Sequence, residues 1–200
     1  MPKAGFFRKL GLVAVEAFLE AETCSDLRSS CASSRFERGS VIGDDDAQGV
    51  VDECVRLVSR AVVSPEILRA MKRRLTTLLP ELEKHFAVSL NGLEGPEFLV
   101  YDPGCFYTPH RDASPGASTE SRLVSFVVFL NGESQQPTPD CYCGGSLTFH
   151  GLMDGPFQKC AFSLEADTGL LIAFRSSTLH EVRPVTAGQR YSVVGWFTGD

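Results

Sequence analysis

RLVSFVVFLN, residues 122–131, settles whether the second half of the chain is strand or helix. It is short, rich in β-branched and aromatic residues, and closed by Asn131 and Gly132, so it reads as a strand. Working outward, EFLVY (97–101), SLTFH (146–150), KCAFSL (159–164), GLLIAF (169–174) and RYSVVGWFT (190–198) share that character. Gly, Pro, Asn or Asp bound them. No helical pattern separates them, which predicts a β-sandwich or barrel. One connection, GESQQPTPDCYC (132–143), is long, and loops of this length in compact domains are usually functional or mobile.

The first half reads differently. Residues 1–90 are expected to be mostly helical. Ser64-Pro65 is a helix start, Ser as N-cap and Pro at the first helical position. Ile67, Leu68, Met71, Leu75, Leu78 and Leu79 then recur at helical spacing. Cys24, Leu27 and Cys31 suggest an earlier helix. RFERGSVIGDDDAQG (35–49) reads as a loop. At 200 residues the chain is expected to be one domain, with 1–90 supporting a core over 97–198. No internal repeat or low-complexity tract is visible.

Net charge is -6, which argues against a nucleic-acid partner. Arg69, Lys72, Arg73 and Arg74 form a basic cluster that reads as a solvated helix face. Seven cysteines, at 24, 31, 54, 105, 141, 143 and 160, show no framework spacing and fit free thiols in a reducing compartment. Lys3, Arg8 and Lys9 precede LGLVAVEAFLE, but Glu16 interrupts that run and no small-residue cleavage site follows. No run reaches the roughly 18 apolar residues of a membrane span. The expectation is an intracellular, cytoplasmic protein without a membrane partner.

The chemistry lies in FYTPHRDASP (106–115). Side chains at i and i+2 of an extended segment point the same way, so His110 and Asp112 can reach one ion. A third ligand must come from elsewhere. His180 follows the apolar GLLIAF and the polar RSSTL, which places it exposed at a strand end. His150 is the competing choice, but no Arg-x-Ser follows it at a suitable distance. His150 and His85 are read as structural. Two His and one carboxylate form the facial set of non-haem Fe(II) oxygenases, leaving positions open for substrate and oxygen. Cys141 and Cys143 fall short of the four ligands of a structural zinc site.

Ten residues after His180 comes Arg190, across a turn marked by Pro184 and Gly188. If 180–183 and 190–197 are arms of a hairpin, Arg190 lies on the strand returning from the metal. Its guanidinium fork matches a carboxylate bidentately, and Ser192 at i+2 can add a hydrogen bond. This would hold the distal carboxylate of 2-oxoglutarate while its keto-acid end chelates iron.

On these motifs, with VYDPGCFYTPH, RLVSFVVFLN, GGSLTF and HEVRPVTAGQRYSVVGWF, the chain resembles the prolyl 4-hydroxylase-like Fe(II)/2-oxoglutarate dioxygenases, strongly over 97–198. The resemblance implies an α+β fold: a double-stranded β-helix (jelly-roll) core with N-terminal helices packed on its larger sheet. It implies Fe(II) on His110, Asp112 and His180, 2-oxoglutarate on Arg190, O2, and ascorbate as reductant. Tyr101 matches a family Tyr near the co-substrate. Tyr107, Arg122 and Trp196 match positions that face substrate in protein-prolyl hydroxylases. A Tyr that contacts 2-oxoglutarate in some relatives is Phe129 here.

The expected activity is hydroxylation of an unactivated C–H bond, with 2-oxoglutarate oxidised to succinate and carbon dioxide. The favoured substrate is a prolyl residue in a protein or peptide. The alternatives are a free amino acid or other small metabolite, and a non-catalytic metal-binding sensor or scaffold. An intact co-substrate anchor counts against the last.

Overall fold

The computed structural model of the protein describes residues 2–39, 41–43, 46–50, 52–153 and 159–200. Two antiparallel sheets face one another. The larger has seven strands in the order Val13–Val15, Leu171–Arg175, Arg122–Phe129, Arg190–Thr198, Gly92–Tyr101, Ser59–Ala61 and Phe36–Arg38. The smaller has five, in the order Ala161–Leu164, Leu147–His150, His180–Val182, Phe106–His110 and Arg56–Leu57. This is the double-stranded β-helix.

Strand alternation explains why the apolar runs are continuous. Along the larger sheet, Phe98, Val100, Val124, Phe126, Val128 and Val193 face one core, with buried Cys24, Leu27, Met71, Leu75 and Leu82 from the helices Ala21–Ala32, Pro65–Thr76 and Leu79–Phe86. Leu99, Tyr101, Val127, Phe129, Ile172 and Phe174 face the other, against Leu147, Phe149, Val182 and Val185. A sheet wet on one side would have read as alternating polar and apolar. Each fully buried Phe or Leu contributes about 1.5–3 kcal/mol. The helices therefore pack on the larger sheet, as expected.

The Ser64 hydroxyl accepts from the Ile67 N–H at 3.4 Å, capping the helix Pro65–Thr76. That helix ends sooner than the spacing through Leu79 suggests. A second helix, Leu79–Phe86, begins there with Pro80 in its first turn. Arg69, Lys72, Arg73 and Arg74 are exposed on the first helix, as a solvated face should be.

Three expectations need correction. Residues 1–90 are not mostly helical: the strands at 13–15, 36–38 and 59–61 extend the larger sheet at its two ends. The segment 35–49 is not simply a loop. Phe36–Arg38 pairs with Ser59–Ala61, and Val41–Gly43 pairs with Asp46–Val50; residues 40, 44 and 45 lie outside the described ones. The segments 180–183 and 190–197 are not arms of one hairpin. His180–Val182 belongs to the smaller sheet and Arg190–Thr198 to the larger, and the chain crosses between them through Val185–Ala187. The long connection is also partly ordered, since Gly132–Glu133 pairs with Cys141–Gly144, which pairs with Val185–Ala187.

Candidate metal centre and active site

His110 ends its strand and His180 begins its own, and the antiparallel register sets the two opposite each other. Their rings lie 4.3 Å apart. Asp112 follows His110 by two residues and is pinned from three sides. Its N–H and that of Ala113 both donate to the Ser176 carbonyl, at 2.9 and 3.1 Å. The Ser125 hydroxyl donates to Asp112 Oδ2 at 2.7 Å and sits 2.9 Å from Ser176 Oγ. The ligand atoms of His110, Asp112 and His180 all fall within 4.8 Å of one another, the sole such group among the described residues.

The hydrogen bonds decide the tautomers. His110 Nδ1 is 2.8 Å from the Thr108 carbonyl and His180 Nδ1 is 2.9 Å from the Thr178 carbonyl. A carbonyl only accepts, so each Nδ1 carries a proton, and in the neutral ring Nε2 presents the lone pair. Those lone pairs face Asp112: Nε2 of His110 lies 3.6 Å from Oδ1, and Nε2 of His180 lies 3.5 Å from Oδ2. Burial pushes His180 down to about 4, more than the Asp112 charge beside it can offset, so its imidazole is neutral near pH 7. Burial opposes ionisation of Asp112. The neighbouring His180 and His110 and the Ser125 hydrogen bond nonetheless hold it below the usual carboxylate range. The two Nε2 atoms and the Asp112 carboxylate thus converge on one point, where a cation would be held. Two imidazoles and a carboxylate on one side, with carbonyls orienting the imidazoles from behind, fit Fe(II). His180 is not exposed as the sequence suggested: it is 5% accessible, because Phe149 and Phe174 close over its ring.

Arg190 lies in the same cavity, of about 160 Å³, and is 1% exposed. It pairs across strands with Tyr101, whose ring centroid is 5.0 Å from the guanidinium carbon. Phe129 lies at 5.2 Å and Tyr142 at 6.0 Å. One N–H donates to Ser192 Oγ at 3.0 Å, so Ser192 does face with Arg190, and it is fully buried. Arg190 Nε has no partner, and no carboxylate of the described residues pairs with the guanidinium within 4.0 Å. A buried cation without a paired carboxylate is costly. A carboxylate ligand is the natural complement, and this orphaned donor fits the distal end of 2-oxoglutarate. The turn before SLTFH makes room for it: Gly145 has φ +69°, and a Cβ there would lie 3.2 Å from Arg190 Cδ and 2.8 Å from Val185 Cγ2.

The remaining expected residues also line this cavity. Tyr107 stacks on His110 with centroids 3.4 Å apart and planes at 14°. Trp196 is covered by Arg122, whose guanidinium carbon is 3.8 Å from the ring centroid. Arg122 is 6% exposed and makes a bidentate pair with Glu94, its Nε donating to Oε2 at 2.7 Å and its Nη2 to Oε1. Its Nη1 lies 3.4 Å from the Asp112 carbonyl. Arg122 therefore braces the wall with most of its donors engaged.

Sequence reasoning missed Arg56, Glu94 and Glu97. Arg56 covers Tyr107 at 4.9 Å and lies 3.8 Å from Glu97. A signal existed for the two glutamates, since Glu97 opens the segment EFLVY and Glu94 stands three residues before it. Nothing local marks Arg56, which joins the site by strand pairing with Tyr107. His150 stands apart, 3.1 Å from Glu181, and His85 packs edge-on against Phe86. The cysteines of the chain are free thiols, Cys141 and Cys143 included. Among the described residues no helix is long and apolar enough to cross a membrane.

Comparison with known proteins agrees with this geometry. The model of a family described as the 2OG-Fe(II) oxygenase superfamily matches residues 96–198. A PKHD-type hydroxylase of Synechococcus elongatus is 29% identical over 188 residues, covering 92% of this chain and 77% of its own length. A Pseudomonas putida prolyl-4-hydroxylase superposes with TM-score 0.67 at 26% identity, over 95% of this chain and 93% of that one. A Trichoplax adhaerens prolyl hydroxylase, solved with a peptide fragment of the hypoxia inducible factor oxygen degradation domain, superposes with TM-score 0.70 at 20% identity. It covers 98% of this chain and 86% of that one, and shows likeness of fold.

Proposed function

The chain belongs to the 2OG-Fe(II) oxygenase superfamily, and on that premise we propose that it hydroxylates a prolyl residue within a protein or peptide. It is an Fe(II)- and 2-oxoglutarate-dependent dioxygenase. The proposal extends to roles: His110, Asp112 and His180 hold the metal, Arg190 and Ser192 hold the distal carboxylate, and Tyr101 flanks the co-substrate. Bound there, Fe(II) with 2-oxoglutarate and O2 supplies oxidative decarboxylation coupled to C–H hydroxylation. Thr108 and Thr178 orient the two imidazoles through their carbonyls, and Ser125 orients Asp112. Buried Phe149 and Phe174 exclude water behind His180. Ascorbate is proposed as reductant, the chain as a single domain over 1–200, and the cytoplasm as its compartment.

The observation that carries the substrate reading is the aromatic side chains lining the cavity that holds the metal ligands. Tyr107 lies against His110, and Trp196 lines the same cavity under Arg122. A pyrrolidine ring held against this partly aromatic lining buries apolar area without asking for a charge partner. That the similar Pseudomonas putida protein is a prolyl-4-hydroxylase supports the same chemistry.

A second reading has its own observation. Glu94 and Glu97 line the cavity with Arg56 and Arg122. Such acid–base pairs are what an ammonium and a carboxylate of a free amino acid require. The test is succinate release from 2-oxoglutarate under Fe(II) and ascorbate, with proline-containing peptides and free amino acids added in turn. The prolyl-peptide reading expects stimulation by peptides. Stimulation by free amino acids alone transfers the assignment to the second reading.

A further inference from the structure

Tyr142 lies behind Arg190, in the strand Cys141–Gly144 that the long connection leads into. Its side chain is fully buried, yet its hydroxyl has no hydrogen-bond partner. Burial pushes this phenol up to about 12, against the pull of Arg190, so it stays protonated and can donate. A buried hydroxyl that makes no hydrogen bond is costly, because it has given up water without a replacement partner. Arg190 Nε is a second such atom, and the Arg190 guanidinium carbon lies 6.0 Å from the Tyr142 ring centroid. Gly145 keeps them adjacent, since a Cβ there would lie 3.3 Å from Tyr142 Cε2 and 3.2 Å from Arg190 Cδ. Of the two rings that face Arg190 from the larger sheet, Phe129 offers no donor and Tyr101 carries a hydroxyl. Glu133 is the nearby acidic group. Its Oε1 accepts from Ser146 Oγ at 2.5 Å, and neither of its oxygens takes the Tyr142 proton.

We infer that Tyr142 is a co-substrate-binding residue: its hydroxyl and Arg190 together receive the distal carboxylate of 2-oxoglutarate. Two orphaned donors, one charged and one neutral, are complementary to the two oxygens of one carboxylate. The inference rests on the assignment of Arg190 as the carboxylate anchor.

The test measures equilibrium binding rather than turnover. The protein is loaded with Mn(II) and titrated with 2-oxoglutarate and with 2-oxopentanoate, a keto acid lacking the distal carboxylate. Tyr142→Phe should weaken 2-oxoglutarate binding about 10- to 100-fold, as loss of a hydrogen bond to a charged group does. It should leave 2-oxopentanoate binding unchanged. Without ligand its melting temperature should not fall, because the hydroxyl makes no bond in the empty protein. Unaltered 2-oxoglutarate affinity in Tyr142→Phe, alongside weakened affinity in Arg190→Ala, overturns this inference alone. Unaltered affinity in both variants overturns the Arg190 anchor with it. Equal weakening toward both keto acids, or a lowered melting temperature of the empty protein, marks Tyr142 as a packing residue and also refutes the inference.

Discussion

Replacing Arg190 by Met should separate folding from binding, because the structure gives this cation no carboxylate partner of its own. Breaking an existing buried ion pair costs about 3–5 kcal/mol, whereas replacing buried charge with an apolar side chain of similar volume is often neutral or stabilising. Against that gain stand the contacts with Tyr101, Phe129 and Tyr142, at 5.0, 5.2 and 6.0 Å, and one hydrogen bond to Ser192. Cation–π contacts are worth about 0.5–2 kcal/mol. The opposing terms are of similar size, so the unfolding free energy without co-substrate should stay within about 2 kcal/mol of the parent. Binding should behave otherwise. Loss of a charge-assisted contact to the distal carboxylate should cost about 1.5–3 kcal/mol, or 10- to 100-fold in 2-oxoglutarate affinity. Arg190→Lys should fall between, keeping the charge without the fork. Denaturant unfolding with and without Mn(II) and 2-oxoglutarate reads both quantities. A destabilisation above about 3 kcal/mol with unchanged affinity would refute the reasoning, since Arg190 would then serve the fold.

Three further outcomes follow from the site. His180→Ala should abolish Fe(II) binding measured by titration, while His150→Ala, whose ring meets Glu181, should bind the metal normally; the reverse result would exchange the third ligand. Trp196→Ala should lower peptide-stimulated turnover about 30- to 100-fold, the worth of one buried aromatic wall, while slow uncoupled decay of 2-oxoglutarate survives; parallel loss of both activities would make Trp196 a core residue. The segment 134–140, which joins the strands Gly132–Glu133 and Cys141–Gly144, should be nicked more slowly by protease when metal, 2-oxoglutarate and peptide are all present. Equal rates would remove the idea that this loop closes over substrate.

The core strands were legible because both of their faces are buried. Phe98 and Leu99, or Phe126 and Val127, enter different cores, so the sequence shows uninterrupted apolar runs. The metal ligands and Arg190 were legible because their chemistry constrains residue type and spacing. Pairing partners were not, since a strand carries no local record of its neighbour. His180 and Arg190 looked like one hairpin and belong to opposite sheets. Phe36–Arg38 escaped notice because an exposed edge strand needs no apolar pattern; Glu37 instead meets Arg35 at 2.6 Å and Arg60 across the pair. Tyr142 was hidden in a Pro-, Gln- and Ser-rich connection, where a single aromatic residue has no periodic context. Its significance rests on an unpartnered hydroxyl, which only the folded chain displays.

The most direct test of the account is the fate of isotope-labelled O2 in a reaction with Fe(II), 2-oxoglutarate, ascorbate and a proline-containing peptide, read by mass spectrometry. The account predicts one labelled oxygen in succinate and the other on a prolyl residue of the peptide, with both signals lost in Asp112→Ala. Label entering succinate at a rate that no peptide changes, together with hydroxylation of free proline, would contradict it.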